Sequence, residues 1–237
     1  MEQLAAFPKQ LCRIAGGAQL LLWAFLVVAN AMDTAELLQR AGEGDAGALG
    51  ELFSRDRERL RRMVQVRLDR RLQGRIDPSD VLQESYVEMA RSIAAYLKDP
   101  ALPFFLWLRM ITGRKLQALH RHHLGTESRD AGREVSLYRG ALPQASSVSL
   151  AAHLLGRLTS PSQAAARAEL KLHIQDALNN MDRLDREVLA LRHFEQLSTA
   201  ETAQVLGISE QAASNRFVRA LKRLKNILSS LPGVLEG

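Results

Sequence analysis

The sequence predicts an all-α protein of two small helical domains joined by a flexible linker. Three observations support this fold class. Residues that favour helices dominate the composition, and aromatic residues make up only 5% of the chain. Apolar residues recur at helical spacing in two long stretches, without runs of alternating β-branched residues. A segment rich in Gly, Ser and Pro separates these stretches, and 237 residues are enough for two compact units.

The charge of the chain favours a polyanionic partner. It has 32 Lys and Arg against 26 Asp and Glu, a formal net charge of +6. Most of the basic residues are Arg, whose donors suit phosphates and guanine edges, although a GC-rich genome and a membrane-surface or ribosomal role also produce such an excess. The single cysteine, Cys12, excludes an intramolecular disulfide and a thiolate-rich zinc site, and it fits a reducing cytoplasm.

Residues 1–31 have the layout of a secretory leader, because basic residues precede an apolar run from Leu20 to Ala29. If this leader is retained, it can act as a membrane anchor, although the run is short for a spanning helix. The alternative is that translation begins at Met32, since Asp33 or Thr34 can cap a new amphipathic helix directly after it. The folded protein is therefore expected to begin near Met32.

Residues 32–123 are predicted to form the first helical domain. Residues 42–45 interrupt its first two helices, and a long arginine-rich helix follows. Asp77-Pro78 starts the next helix, because proline is tolerated in a first turn and acidic groups favour the positive helix end. After a break around Pro100, the segment Phe104 to His122 forms a helix with aromatics at its start and bases at its end.

Residues 124–160 have the composition of a linker, with a short amphipathic piece around residues 150–158. Helical periodicity returns in residues 161–231, which are predicted to form the second domain. Its four predicted helices span residues 165–178, 184–194, 199–206 and 210–228.

The clearest motif is a helix-turn-helix near the end of the chain. Ser198 or Thr199 caps its first helix, and Gly207 supplies the turn. Ile208 fills the core between the helices, and Ser209 caps the second helix. The helix caps, the turn glycine and the core residue are independent signals, and their spacing together predicts the motif.

The second helix of the motif has an apolar stripe and a polar surface. The predicted stripe comprises Ala213, Phe217, Ala220, Leu221 and Leu224. Five bases against one acid between residues 209 and 225 predict several phosphate contacts and a marked salt dependence. An ordinary helical hairpin can also carry a solvated basic face, but the agreement of all these signals favours DNA binding. The predicted contacts are Gln211, Ser214, Asn215, Arg216, Arg219, Lys222 and Arg223.

From about Asp33 to Leu231 these residues resemble the bacterial sigma factors of the extracytoplasmic-function group. The run Leu184-Asp185-Arg186-Glu187-Val188-Leu189 before the helix-turn-helix resembles the fourth region of that family. The recognition helix of that region reads the minus-thirty-five promoter element. The base or phosphate contacts that the resemblance implies are Ser214, Asn215, Arg216 and Arg219, with Gln211 as a further candidate. Arg216 and Arg219 fit the family pattern best, whereas Ser214 and Asn215 occupy positions that vary in the family.

The amino-terminal part resembles the second region of the same family. The run Asp77 to Glu84 is similar to the acidic helix that contacts the clamp helices of the polymerase largest subunit, which implies polymerase contacts for Asp80, Gln83 and Glu84. The segment Phe104 to His122 is similar to the one that opens and reads the minus-ten element. Its implied DNA contacts are Arg109, Arg114, Lys115, Arg121 and His122.

Phe105 and Trp107 are expected in the core, because aromatics at helical spacing usually pack inside. The family's usual Asn and Asp in this helix are replaced by Arg114 and by Gln117-Ala118.

The resemblance implies a cytoplasmic sigma factor that binds core RNA polymerase and promoter DNA and needs no cofactor. An anti-sigma factor is a further partner that it leaves open. One alternative is a helix-turn-helix regulator that acts without being a polymerase subunit, and another is a membrane-attached signalling protein that keeps its leader. An enzyme is the class with least support, because no phosphate loop, metal-ligand cluster or nucleophile arrangement stands out.

Overall fold

In a computed structural model, the residues described are 33–69, 71–124, 145, 147–155 and 164–229. Within them the chain forms helices and no strand, which confirms the all-α prediction. The predicted leader and most of the predicted linker lie outside the described residues. The helices are α1 (33–42), α2 (Ala46–Arg67), α3 (Pro78–Lys98), α4 (Phe104–Leu124), α5 (Ser147–Leu155), α6 (Ala164–Asn179), α7 (Arg183–Leu189), α8 (Thr199–Leu206) and α9 (Glu210–Ser229).

The starts of several helices follow from side-chain caps. Asp45 caps α2 by accepting hydrogen bonds from the backbone amides of Gly47 and Ala48. Asp77 caps α3 in the same way, and Pro78 occupies the first turn of that helix, as predicted. Each cap supplies an acceptor for backbone amides that have no partner inside the helix.

The amino-terminal helices α1 to α4 enclose the first core. Trp107 and Phe105 are buried in it, which confirms the expectation that they pack inside. The Trp107 ring stacks on Tyr96 with 4.4 Å between ring centroids, and the Tyr96 hydroxyl donates a hydrogen bond to the Leu102 carbonyl. Large side chains with almost no exposure in this core include Leu52, Leu60, Met63, Leu82, Met89 and Leu108.

A second core lies among α5, α6, α9 and a π-helical turn, Ala190–Phe194, that continues α7. The short amphipathic piece predicted inside the linker is α5, which packs against α6 and α2. Val66 of α2 belongs to this second core as well. Part of the predicted linker is therefore an ordered helix that joins the two halves of the protein.

The two halves pack directly against each other. Leu191, within the π-helical turn, and Leu197, which follows it, belong to the first core with α1 to α4. Leu206 of α8 belongs to the same core. The sequence predicted two domains on a flexible linker and did not predict this contact. Such a contact is invisible to local periodicity because it depends on residues far apart in the chain.

The apolar stripe of α9 is narrower than predicted. Ala213, Ala220 and Leu224 are buried and Phe217 is half-buried, but the Leu221 side chain is exposed. The prediction for Leu221 is wrong because this residue lies at the edge of the stripe. At about 100° per residue, it is turned about 100° from Ala220 and about 60° from Leu224, beyond the half-buried Phe217. Among the described helices, none is long and apolar enough to span a membrane.

Candidate nucleic-acid interface

The helix-turn-helix is built from local hydrogen bonds. The Ser198 hydroxyl accepts from the Glu201 amide at 3.0 Å, while the Glu201 carboxylate accepts from the Ser198 amide at 2.7 Å, which forms a capping box at the start of α8. Gly207 ends α8 with φ 61° and ψ 41°, the left-handed conformation that favours glycine. The Ser209 hydroxyl accepts from the Ala212 amide at 3.1 Å and so caps α9.

Helix α9 presents its polar residues on its outer side. Gln211, Ser214 and Asn215 are exposed, and Gln211 donates a hydrogen bond to the Asn215 side chain one turn away at 3.0 Å. Lys222 and Arg223 continue this face toward the end of the helix and are also exposed. These five predicted DNA contacts of α9 thus lie together on one accessible surface.

Arg216 and Arg219 share one carboxylate on α7. Arg219 donates to Asp185 from Nε at 2.7 Å and from Nη2 at 3.0 Å, while Arg216 donates to it from Nη1 at 2.7 Å. The Asp185 side chain is 6% exposed, whereas those of Arg216 and Arg219 are 29% and 61% exposed. The carboxylate therefore lies behind the two guanidinium groups and fixes their direction.

Burial raises the pKa of the Asp185 carboxyl, but the hydrogen bonds from Arg219 and Arg216 outweigh burial and hold its pKa below the ordinary value. Asp182, which caps α7, contacts Arg216 at a longer 3.3 Å. Sequence reasoning missed Asp185 as a site residue. An acidic pair three residues apart at a helix start indicates only capping, and the partners on α9 lie more than 30 residues away.

The residues predicted to bind polymerase lie on the outer face of α3. Asp80, Gln83 and Glu84 are all exposed there. Beside them a surface groove of about 320 Å³ runs between α2 and α3. Its lining includes Phe53, Arg57, Leu82, Gln83, Tyr86 and Val87. An acidic rim and an apolar floor thus adjoin on one accessible surface.

The predicted DNA contacts of α4 fall into two groups. Arg114, Arg121 and His122 are exposed, and Lys115 is partly exposed and pairs with Glu88 at 3.1 Å. Arg109, in contrast, is only 4% exposed. In the described arrangement Arg109 does not reach the surface, because its side of α4 packs against the segment that follows the π-helical turn.

Arg109 takes part in a buried ion cluster that joins the two halves. Its Nε donates to Glu195 Oε2 at 2.7 Å, and Arg67 Nε at the end of α2 donates to Glu195 Oε1, also at 2.7 Å. Arg67 also pairs with Glu187 of α7. Two arginines and two carboxylates make the cluster neutral, which is the condition for burying charges without a large penalty. Glu195 itself has no solvent exposure.

The pKa values in this cluster follow from its pairing. Burial raises the pKa of the Glu195 carboxyl, but the positive charges of Arg109 and Arg67 and their hydrogen bonds outweigh burial, so its pKa lies below the ordinary value. Burial likewise opposes the charge of Arg67, while Glu187 and Glu195 raise its pKa. The Glu195 carboxyl and the Arg67 guanidinium are therefore both charged at neutral pH.

A second set of contacts between the halves lies nearer the surface. Arg59 of α2 contacts Glu201 of α8 at 3.1 Å and donates to the Gln196 carbonyl at 3.3 Å. Arg62, one turn further along α2, donates to the Gln196 side chain at 2.7 Å. Gln196 has φ 57°, a left-handed conformation that is uncommon for a residue with a side chain. The Arg59 guanidinium also lies 3.4 Å from the ring centre of Phe105.

With this geometry in view, residues 171–224 match the family model described as sigma-70, region 4. The RNA polymerase sigma factor CnrH of Cupriavidus metallidurans is 29% identical over 155 residues, which are 65% of this chain and 74% of that protein. The RNA polymerase sigma factor CarQ of Myxococcus xanthus is 26% identical over 194 residues, which are 82% of this chain and 97% of that protein. The solved structure of CnrH in complex with the cytosolic domain of CnrY covers 84% of this chain and 98% of its own, at 23% identity and a TM-score of 0.49.

The chain is thus similar over most of its length to sigma factors of the extracytoplasmic-function group, and these matches support its identification as one. It acts in promoter recognition and transcription initiation, and the alternative of a regulator independent of polymerase is not favoured. The matched segment 171–224 of this sigma factor runs from α6 to α9 and includes Asp185, Arg216 and Arg219. An alignment of 194 residues is longer than the carboxy-terminal helices, so it includes part of the amino-terminal half as well.

Proposed function

We propose that this sigma factor binds core RNA polymerase through the exposed face of α3 and promoter DNA through α9 and α4. One observation carries the proposal. The basic outer face of α9 and the acidic face of α3 are both accessible in a single chain. A regulator that acts without being a polymerase subunit does not require the acidic face of α3. In this proposal, residues 32–123 form the domain that binds polymerase and the minus-ten element, and residues 161–231 form the domain that binds the minus-thirty-five element. Residues 124–160 are the linker between them.

The proposed reader of the minus-thirty-five element is α9. Gln211, Ser214 and Asn215 at its start have the hydrogen-bonding groups that contact base edges, while Lys222 and Arg223 suit phosphates. Helix starts of this kind enter the major groove in helix-turn-helix proteins. The exposure of this face in the free chain supports the assignment, because no rearrangement within α9 is needed for it to approach DNA.

Asp185 is proposed to be a positioning residue for this readout. It contacts both Arg216 and Arg219 and holds each guanidinium in one direction before DNA is bound. A planar guanidinium that is already oriented loses less side-chain entropy when it pairs with a guanine edge or a phosphate. The buried carboxylate also offsets part of the positive charge of α9, which weakens attachment to DNA of any sequence.

The proposed contacts to the minus-ten element are the exposed bases of α4, namely Arg114, Arg121 and His122, together with Lys115. Strand opening requires bases to be held outside the stack, and cations beside a single strand serve that purpose. Arg109 joins this set only if the two halves separate. The protein is proposed to act in the cytoplasm and to have no catalytic activity of its own, and an anti-sigma partner remains a prediction from the resemblance.

The test is run-off transcription with core polymerase on promoter fragments enriched from the protein's own genome. We expect specific transcripts with the wild type and their loss with Asp80→Arg, because a positive charge replaces an acid on the proposed polymerase face. Arg216→Ala should also abolish them. The matched control is Glu169→Arg, which makes the same charge change at a side chain that is 77% exposed on α6.

Two results would contradict the proposal. One is tight, sequence-specific binding to DNA by the protein alone, with no association with polymerase and no effect of Asp80→Arg. The other is loss of transcription with Glu169→Arg to the same extent as with Asp80→Arg. The first would indicate an ordinary helix-turn-helix regulator, and the second would show that the face of α3 has no special part in the interaction.

A further inference from the structure

The loop between α2 and α3 carries two exposed arginines that the proposed function does not use. Arg71 and Arg75 both lie on the surface, and the Arg71 side chain is 65% exposed. Residues 71–76, here called the arginine loop, contain no acidic residue. Sequence reasoning did not single out these arginines, because neither a motif nor helical periodicity marks a short loop between two helices.

The backbone of the arginine loop is fixed by its own contacts. The Leu72 side chain is 1% exposed and anchors the loop in the first core. The amides of Arg75 and Ile76 both donate to the Leu72 carbonyl at 3.0 Å. Gly74, with φ 88°, allows the tight turn that these hydrogen bonds close. The two arginines therefore extend from a loop that is already folded, which lowers the entropy lost when they bind a ligand.

The arginine loop begins against the end of α4. The amide of Asp69, which lies just before the loop, donates a hydrogen bond to His120 Nε2 at 3.3 Å. The Asp69 carboxylate accepts from the Arg71 amide at 2.9 Å and from the Arg71 guanidinium at 3.2 Å. Arg121 and His122 follow His120 directly and are exposed. The loop therefore continues the basic surface at the end of α4.

The proposed DNA surface of α4 extends toward the arginine loop. The exposed bases of α4 lie in its second half, because the aromatic residues of its first half are buried in the core. Residues 104–124 contain no acid. The two acids that flank the loop have other partners, since Asp69 binds Arg71 and Asp77 caps α3. The local excess of positive charge therefore favours a polyanion.

Phosphates of duplex DNA are the ligand that fits the arginine loop. The opened strand that α4 is proposed to hold continues into duplex at its edge, and duplex DNA carries one negative charge per about 1.7 Å of its axis. Guanidinium groups bind phosphate oxygens through two parallel hydrogen bonds. Arginines on a loop that does not enter a groove contact the DNA backbone, and such contacts position the protein without reading bases.

We propose that Arg71 and Arg75 form a further DNA-binding site, which binds phosphates of the duplex next to the opened minus-ten strand. This inference rests on the proposed function and adds to it a contact that is independent of base sequence. The arginine loop holds the edge of the duplex while the exposed bases of α4 hold the single strand. The contact thereby fixes the position of the DNA along α4.

The experiment measures the affinity of core polymerase carrying this protein for a promoter fragment at several salt concentrations. Arg71→Ala combined with Arg75→Ala should lower the affinity and make the slope of log affinity against log salt shallower by about two, because two phosphate contacts are lost. The base preference at the minus-ten element should not change. Arg71→Lys combined with Arg75→Lys retains both charges and should restore most of the slope, which separates loss of charge from damage to the loop.

Single neutral methylphosphonates in the DNA locate the contact. Replacing a contacted phosphate should weaken binding of the wild type but not of the double alanine variant, since the partner of that phosphate is already missing. We expect this coupling at duplex phosphates next to the minus-ten element. The matched control is Lys222→Ala combined with Arg223→Ala, which removes two exposed charges of α9 and should couple with phosphates of the minus-thirty-five element instead.

The outcomes separate this site from the proposed function. If the wild type forms promoter complexes and initiates transcription, but the double alanine variant keeps the wild-type slope and couples with no duplex phosphate, the loop site is overturned and the proposed function stands. Coupling of the loop to the minus-thirty-five element would also overturn the loop site. If the wild type forms no promoter-specific complex with polymerase, the proposed function fails and the loop site fails with it. A shallower slope with coupling beside the minus-ten element supports both.

Discussion

Single carboxylates organise the functional surface of this protein. Asp185 orders two arginines of the helix that faces DNA, and Glu195 orders two arginines between the halves. Both carboxylates are almost completely buried, and both have a pKa held below the ordinary value by the arginines they contact. At this scale the protein uses buried acids to control the position of cations.

Asp185→Asn should reduce sequence discrimination by α9 more than total affinity for DNA. The substitution keeps the shape of the side chain but removes the charge that orients Arg216 and Arg219, and it adds one positive charge to the surface. Binding to minus-thirty-five fragments and to scrambled DNA, measured by fluorescence anisotropy, should show a smaller ratio of affinities and a salt slope steeper by about one.

The control for this prediction is Asp182→Asn. Asn also caps helices well, and the Asp182 side chain is 61% exposed at a longer distance from Arg216. Asp182→Asn should leave discrimination unchanged. Equal effects of the two substitutions would show that Asp185 has no special positioning role.

Glu195→Gln should lower the free energy of unfolding by about 3–5 kcal/mol, because it leaves Arg67 and Arg109 buried with too little negative charge. Urea denaturation followed by circular dichroism measures the change. Glu187→Gln serves as the matched control and should have a smaller effect, since the Glu187 side chain is 22% exposed and pairs with Arg67, whereas Glu195 binds both Arg67 and Arg109. A change below about 1 kcal/mol for Glu195→Gln would contradict the importance of the cluster.

At the scale of elements, the junction between the end of α2 and α4 should make stability depend on pH. The His120 ring nitrogen Nε2 accepts a hydrogen bond from the Asp69 amide at 3.3 Å. Burial lowers the pKa of His120 from 6.5, Arg71 lowers it further, and the Asp69 charge opposes them. The fold therefore favours the neutral imidazole. The contribution of the neutral His120 ring to the free energy of unfolding is fully present above pH 6.5. This contribution is lost as the pH falls through the lower pKa that His120 has in the folded state.

His120→Gln should reduce the difference between the free energies of unfolding at pH 7.5 and pH 5.5. Chemical denaturation of the wild type and the variant at both pH values measures this difference. His123→Gln, on the exposed side of the same helix, is the control and should leave it unchanged. If His120→Gln also left it unchanged, the acceptor role of His120 would be wrong.

Two glycines should respond in opposite directions to the same substitution. Gly207→Ala forces a side chain into a left-handed backbone at the end of α8 and should lower the free energy of unfolding by about 1 kcal/mol. Gly50→Ala lies within α2, where an added methyl group meets nothing within 4 Å, and should raise it by about 1 kcal/mol. Thermal denaturation measures both. A stabilising effect of Gly207→Ala would contradict the assigned turn.

At the scale of the whole molecule, the two halves share both cores. Leu191, Leu197 and Leu206 of the carboxy-terminal half pack with α1 to α4, and Val66 of α2 packs with α5 and α6. The Glu195 cluster adds charged contacts to this apolar interface. The described helices are consequently packed as one unit, and separating the two halves would cost free energy.

The halves should remain associated after the chain is cut. A protease site inserted between residues 134 and 135, in the predicted linker, allows cleavage after folding. The two fragments should elute together in gel filtration, because apolar packing and the Glu195 cluster hold them. The uncut protein is the reference, and Glu195→Gln should promote separation. Separate elution of the wild-type fragments would contradict a stable association of the two halves.

The sequence by itself determined the features that depend on neighbouring residues. The all-α fold class, the start of α3 at Asp77 and the turn at Gly207 follow from periodicity, caps and backbone preferences within a few residues. The exposed residues of α9 could be predicted for the same reason. Leu221 marks the limit of such reasoning, because the width of an apolar stripe depends on what packs against it.

Only the tertiary structure decided which arginines are exposed and which are buried in ion pairs. Arg109 has the residue type of a DNA contact, yet its partner Glu195 lies 86 residues further along the chain. Arg67 and Glu195 are 128 residues apart. Local propensity carries no information about such pairs, because the free energy of a buried ion pair comes from desolvation and charge pairing, which depend on the folded surroundings. For that reason the sequence could identify the family and its DNA-reading helix, and only the fold could reveal the buried ion cluster between the two halves.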